Sequence, residues 1–256
     1  MPQQLILYLV VCPLLFLSGF VDSVAGGGGL ISLPAYLIAG MPIHVAAGTN
    51  KIANCLGSTT AAIQYLRSGK IHLPIALTAS AGALAGSALG AQLAILLSER
   101  LLKSLMLAIL PVVAVFLALK KDIGTENASP SALSPRRTAA YSLLIGLSIG
   151  VYDGMIGPGT GTFLIMAFSA ALSLDLITAS GCAKVVNASS NVAAAAVYLF
   201  HGKVMWSFLL PAAACCILGG FCGARYAIQG GGKRVRSMIF VVLGLLFVKL
   251  GYDLLF

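Results

Sequence analysis

Long apolar stretches dominate the chain, and polar residues gather in short breaks between them. The first stretch predicts a helix over about 5–22 that runs into a glycine cluster, AGGGG at 25–29. A short apolar segment follows at about 30–40, then three helices of spanning length at roughly 45–66, 73–97 and 101–120. The same order then recurs. A helix at about 138–153 meets GPGTG at 157–161, a short segment occupies about 162–173, and long helices follow at 178–199, 204–228 and 235–255. A full crossing of a bilayer takes about 20 residues. The two short segments therefore either re-enter or cross as discontinuous helices broken at the glycines.

The recurrence reaches individual residues. At an offset of 133, Ala46, Gly48, Lys51, Asn54, Tyr65, Gly69 and Lys70 meet Ala179, Gly181, Lys184, Asn187, Tyr198, Gly202 and Lys203. Gly86 and Gly90 continue the register onto Gly219 and Gly223. Upstream the offset slips to 131 and pairs Gly19 and Asp22 with Gly150 and Asp153. Coincidence at Gly and Ala could follow from composition, but coincidence at Lys, Asn, Tyr and Asp marks an internal duplication. The organisation expected is a repeat at 1–122, a linker loop at 123–135 (IGTENASPSALSP) and a second repeat at 136–256, together one transmembrane domain.

Composition now fixes the solvent. With 59% hydrophobic residues, 9% charged residues and a mean hydropathy of +0.99, 256 residues hold more apolar surface than one soluble core can hide. The class expected is an all-α polytopic membrane protein, with the N-terminal stretch read as a membrane helix rather than a signal peptide because it lacks a basic start. The formal charge of +9 comes from scattered Lys and Arg without interleaved aromatics, so nucleic acid is not an expected partner. These cations report orientation instead. Four crossings per half would place seven basic residues inside against six outside, whereas five per half place ten against three. Inverted repeats of five plus five segments are therefore favoured, with eight full-length helices and one short or broken segment in each half. The six cysteines sit in apolar stretches and form no metal pattern, so neither disulfides, metal nor cofactor is expected.

Candidate chemistry gathers where charge is costly. A charge at the centre of a bilayer costs about 2.5–3.5 kcal/mol on insertion scales and usually faces an interior cavity. Lys51 and Lys184 lie well inside their helices at equivalent positions, each with an Asn three residues on, on the same face. Snorkelling would explain one such lysine; a duplicated pair points to function. Thr49, Asn50, Asn54, Asn187, Ser190 and Asn191 add hydroxyl and amide donors around them. The glycine clusters, with Gly27, Gly28, Gly29, Gly159 and Gly161 foremost, would let backbone N–H groups converge on an anion. Gly86/Gly90 and Gly219/Gly223 read instead as close helix packing. Asp22 and Asp153 are open between two roles, ion-pair or proton-carrying partners of the lysines, and helix-end residues without one. His44, His72 and His201 read as residues of the interfacial loops.

The passage GFVDSVAGGGGLISLPAYLIAGMPIHVAAGTNKIANCLGSTTAAIQYLRSGKI resembles the signature of the sulfite exporter TauE/SafE family. The second copy, GVYDGMIGPGTGTFLIMAF followed by SGCAKVVNASSNVAAAAVYLFHGKV, is similar to that family's second repeat. The resemblance implies an inner-membrane permease for small sulfur-containing anions such as sulfite or organosulfonates. The expected function is thus a secondary transporter, not an enzyme, exporting such an anion by alternating access. The expected partners are that anion and the lipid bilayer, with a homodimer left open. An uncoupled anion channel is the alternative. An intramembrane aspartyl protease is a weaker one, since Tyr152–Asp153 supplies half of such a motif and no GxGD supplies the other.

Overall fold

The computed structural model describes residues 3–102, 104–105 and 134–255. The described residues form, in order, α1 Gln3–Ala25, α2 Gly29–Ile38, α3 Ile43–Arg67, α4 Leu73–Leu96, α5 Pro135–Met155, α6 Thr160–Leu172, α7 Leu176–Phe200 and α8 Trp206–Leu255. Residues 99–102 and 104–105 are helical as well, and no strand occurs among the described residues. Most of the helix expected at 101–120 and of the 123–135 linker lies outside them. The helices expected at 204–228 and 235–255 are one run, α8, broken at Gly231, whose φ of 61° and ψ of −155° leave the helical region.

Among the described residues three helices are long and apolar enough to cross a membrane by length and composition: Tyr8–Ala25, Leu73–Leu96 and Trp206–Val242. α3 and α7 are 25 residues each, long enough to span, but Lys, Asn, Ser and Thr dilute their apolar character. Those polar residues point inward. Lys51, Thr49, Lys184, Ser190 and Asn191 are buried, while Leu77, Leu96, Phe200 and Leu210 stand exposed on the outside. An apolar exterior around a polar interior suits a hydrocarbon solvent, where polar groups must find partners within the protein.

Small residues set the helix packing. α1 lies along α8, and α5 lies along α4. A Cβ on Gly86 would strike the Leu147 carbonyl oxygen of α5, and one on Gly219 would strike the Phe16 carbonyl oxygen of α1. These glycines let backbones approach to contact, the role expected of them. Such contacts exchange between the halves. Gly48 closes on the Lys203 carbonyl and Gly181 on the Lys70 carbonyl. The Met205 amide donates to Thr49 Oγ1 at 2.9 Å, and the His72 amide points at Cys182 Sγ at 3.3 Å. Each half therefore holds the other by equivalent residues at its own α3 or α7.

Candidate functional site

The glycine clusters break the chain between two helices in each half. α1 ends at Ala25 and α2 begins at Gly29; α5 ends at Met155 and α6 begins at Thr160. The two breaks touch. Gly26, with φ of +80°, lies against Gly161, and a Cβ on either would overlap the other's backbone. Thr162 donates its hydroxyl to the Ala25 carbonyl at 2.6 Å and ties the crossing shut. Neither α2 nor α6 has a side-chain cap, because Gly28 and Gly159 occupy the cap positions. The Leu30 and Ile31 amides donate to the Gly27 and Gly28 carbonyls and the Thr160 amide to that of Gly157, and each helix start carries partial positive charge.

The opposite ends of the preceding helices hold the lysines. Asp22 lies in the last turn of α1 and Asp153 in the last turn of α5. Lys184 Nζ from α7 sits 2.8 Å from Asp22 Oδ2, and Lys51 Nζ from α3 sits 2.8 Å from Asp153 Oδ2. Each ammonium also donates to the backbone carbonyl of its own aspartate. A cation at a helix C-terminus is favoured by the dipole, and a charge-assisted bond to a carboxylate adds to that. Both pairs join one half to the other. The structure thus brings the aspartates onto the lysines as ion-pair partners, in place of the solvated helix-end alternative. It also gives the two lysines a charge balance that sequence spacing did not reveal, since each is matched by one acid.

The carboxylates differ in their further partners. Asp22 Oδ2 also faces the Ser58 hydroxyl and Asn187 Nδ2, both at 3.4 Å. Asp153 Oδ2 accepts a bond from the Ser190 hydroxyl. Tyr65 on α3 donates to the Ser23 carbonyl at 3.1 Å and meets Ser180 Oγ at 3.2 Å, whereas Tyr198, its equivalent on α7, buries a hydroxyl with no partner.

A cavity of about 20 Å³ lies between the breaks, bounded by Asp22, Asp153, Lys51, Asn50, Asn54, Asn187 and Asn191, with Gly26, Gly29, Gly157 and Thr160 from the helix starts. That is room for one water-sized sphere. Asn54 donates to Asn50 Oδ1 at 3.1 Å and Asn191 to Asn187 Oδ1 at 3.4 Å, so the amides form one pair per half.

Not every expected residue lines this space. Lys184 is fully buried behind Asp22. Thr49 turns away and holds the Met205 amide. Gly27 packs on Val242, Gly28 on Ser18 and Asp22, and Gly161 on Gly26, while Gly159 caps α6 with φ of +83°. Gly26, Gly157 and Thr160 lie within the two glycine clusters but outside the residues expected to bind, and Ser58 was not singled out from the sequence. The offset of 131 already pairs Gly26 with Gly157 and Gly29 with Thr160, and the offset of 133 pairs Ser58 with Asn191. Among the described residues no cluster of His, Cys, Asp or Glu could hold a metal ion. His44 differs from a free loop residue: it lies in the first turn of α3, 3.1 Å from the Ala94 carbonyl.

The sulfite exporter TauE/SafE family model matches residues 11–250. A probable membrane transporter protein ORF9 from Sinorhizobium sp. is 36% identical over 238 residues, covering 93% of this chain and 90% of the relative. The probable membrane transporter protein YfcA of Escherichia coli K12 is 32% identical over 93% of this chain and 87% of its own. YdhB of Bacillus subtilis, also named a probable membrane transporter protein, is 26% identical over 95% of this chain and its own full length. No solved structure matches.

Proposed function

Because the chain belongs to the sulfite exporter TauE/SafE family, we propose that it is a secondary transporter moving a small sulfur oxyanion or organosulfonate across the inner membrane. Its relatives are named membrane transporters, and it is accordingly a multi-pass membrane transporter rather than an enzyme. One observation carries the finer reading. Two helix starts without side-chain caps, one from each half, converge on a polar cavity that also holds an ammonium group, four amides and the carboxylates of Asp22 and Asp153. Backbone donors, a fixed cation and adaptable amides make an oxyanion site.

The exchange of contacts between 1–122 and 136–256, joined by the 123–135 linker, supports a two-fold relation between them, and the balance of basic residues between the two sides supports its being an inverted one. Paired broken helices at the middle of the protein are the arrangement that inverted-repeat transporters use. The cavity is narrow, and glycine backbone packs on glycine backbone where the two breaks cross at Gly26 and Gly161. Substrate entry then requires the halves to part on one side, which is the movement of alternating access. The residues assigned to the substrate are Lys51, Asn50, Asn54, Asn187 and Asn191, with a backbone donor from Gly29.

The test is uptake into proteoliposomes across a panel of sulfite, sulfate, thiosulfate, sulfoacetate, methanesulfonate and taurine. Saturable flux of a sulfur anion, cut at least tenfold by Lys51→Met, is expected. Flux that does not saturate would favour a channel. Full activity in Lys51→Met would remove that lysine from the site.

A further inference from the structure

We infer that each anion crosses with a proton carried by Asp153, so that transport of a monoanion is electroneutral; the inference rests on the transport reading above. The starting point is the charge of the site. Lys51, Lys184, Asp22 and Asp153 are all buried, and both ammonium groups already touch a carboxylate at 2.8 Å. The sum is zero. An anion entering this space would add an unmatched negative charge where desolvation makes one costly. Taking up one proton on a carboxylate restores the balance and frees an ammonium group for the incoming anion.

The geometry selects Asp153 over Asp22. Lys51 borders the cavity, whereas Lys184 is fully buried behind its aspartate and out of reach of a ligand there. Only the partner of Lys51 can hand its cation to the substrate. Ser58 and Asn187 also stand 3.4 Å from the Asp22 oxygen that meets Lys184, so that carboxylate is shared among three side chains. Asp153 has Ser190 alone besides its lysine, and a hydroxyl can turn to accept from a protonated acid. Lys51 also donates to the Asp153 backbone carbonyl, a partner it can keep while its side-chain partner changes.

Asp153 faces Lys51 from α3 and Ser190 and Tyr198 from α7, Tyr152 precedes it on its own helix, and Asp22 lies across the cavity. α4 and α6 carry no titratable side chain. In the cycle, the Asp153 carboxylate binds a proton from one aqueous side and the Lys51–Asp153 ion pair opens. The anion takes the carboxylate's place on Lys51, and on the far side the anion leaves, the proton follows and the pair closes again.

The experiment uses proteoliposomes loaded with a pH dye under a potassium–valinomycin clamp. The main probe is methanesulfonate, a permanent monoanion that carries no proton of its own, with sulfite and sulfoacetate alongside. One proton should enter per methanesulfonate, and its accumulation should shift tenfold per pH unit and not at all with potential. In Asp153→Asn protein the residual flux should move no protons. Its accumulation should then shift about 50-fold per 100 mV, the 2.3 kcal/mol that one charge gains from that potential. Flux remaining in Asp22→Asn should stay proton-linked. Should Asp153→Asn be inactive, the wild-type stoichiometry decides alone. Wild-type flux without proton movement, or driven by potential, overturns this inference and leaves the transport reading standing. Proton linkage lost in Asp22→Asn and kept in Asp153→Asn overturns the choice of Asp153. If none of the three anions moves, both readings fall together.

Discussion

Replacing Lys184 by Met removes a cation of zero exposure and strands Asp22, whose carboxylate keeps only Ser58 and Asn187 as donors at 3.4 Å. Two unit charges 2.8 Å apart attract by about 6 kcal/mol at an effective dielectric of about 20. Most of that offsets the cost of desolvating both ions, so the pair's net worth is small. Breaking it from one side is different, because the remaining charge keeps its desolvation cost, and the usual penalty is about 3–5 kcal/mol. For a chain of this size about 1 kcal/mol moves the melting temperature by about 2–4 °C, so Lys184→Met should melt about 6–20 °C lower. The double variant Lys184→Met with Asp22→Asn removes both charges and keeps an acceptor for Ser58. It should recover most of the loss. The assay is thermal unfolding in detergent with a thiol-reactive dye, since Cys182 and Cys216 are buried free thiols that become reactive only on unfolding. A single variant within about 2 °C of wild type, or a double variant no better than the single, would refute a formed and desolvated ion pair.

Three further outcomes follow from other contacts. Gly26→Ala should abolish folded, monodisperse protein on size-exclusion chromatography, because its Cβ would meet Gly161 and Thr162 backbone at a φ of +80°; Gly244→Ala, with open space around it, should run as wild type. Tyr65→Phe should lower stability by about 1 kcal/mol through loss of the bond to Ser23, whereas Tyr198→Phe, which deletes a hydroxyl without a partner, should be neutral or stabilising in the same melting assay. Thr49→Val should cost about 1–3 kcal/mol by orphaning the Met205 amide, yet leave the concentration dependence of flux unchanged, which separates holding the loop from binding the anion.

Much of the site is legible in the chain because membranes make charge scarce. With so few charged residues, the duplication of Asp22, Lys51, Asp153 and Lys184 stands out against an apolar background. Glycine clusters are legible for a similar reason, since four consecutive glycines before Pro34 do not belong in an uninterrupted helix. Thr49 shows the limit. It neighbours Lys51 by two positions and reads as a donor to the same ligand, but helical geometry turns positions two apart to different faces. Its hydroxyl meets a loop of the other half instead.

By itself the sequence determined the solvent, the helical class, the recurrence of residues at offsets of 131 and 133 and the four costly charges, because each is a matter of composition, period or offset along one chain. The tertiary structure alone decided how those charges are matched. Lys51 pairs with Asp153 and Lys184 with Asp22, partners 102 and 162 residues away across the two halves. No local pattern specifies such a pairing, since it depends on which faces of α1, α3, α5 and α7 meet. It also decided that one lysine borders the cavity while its equivalent is sealed behind a carboxylate. Two copies of one motif became chemically unequal because their second partners differ, and only packing sets those partners.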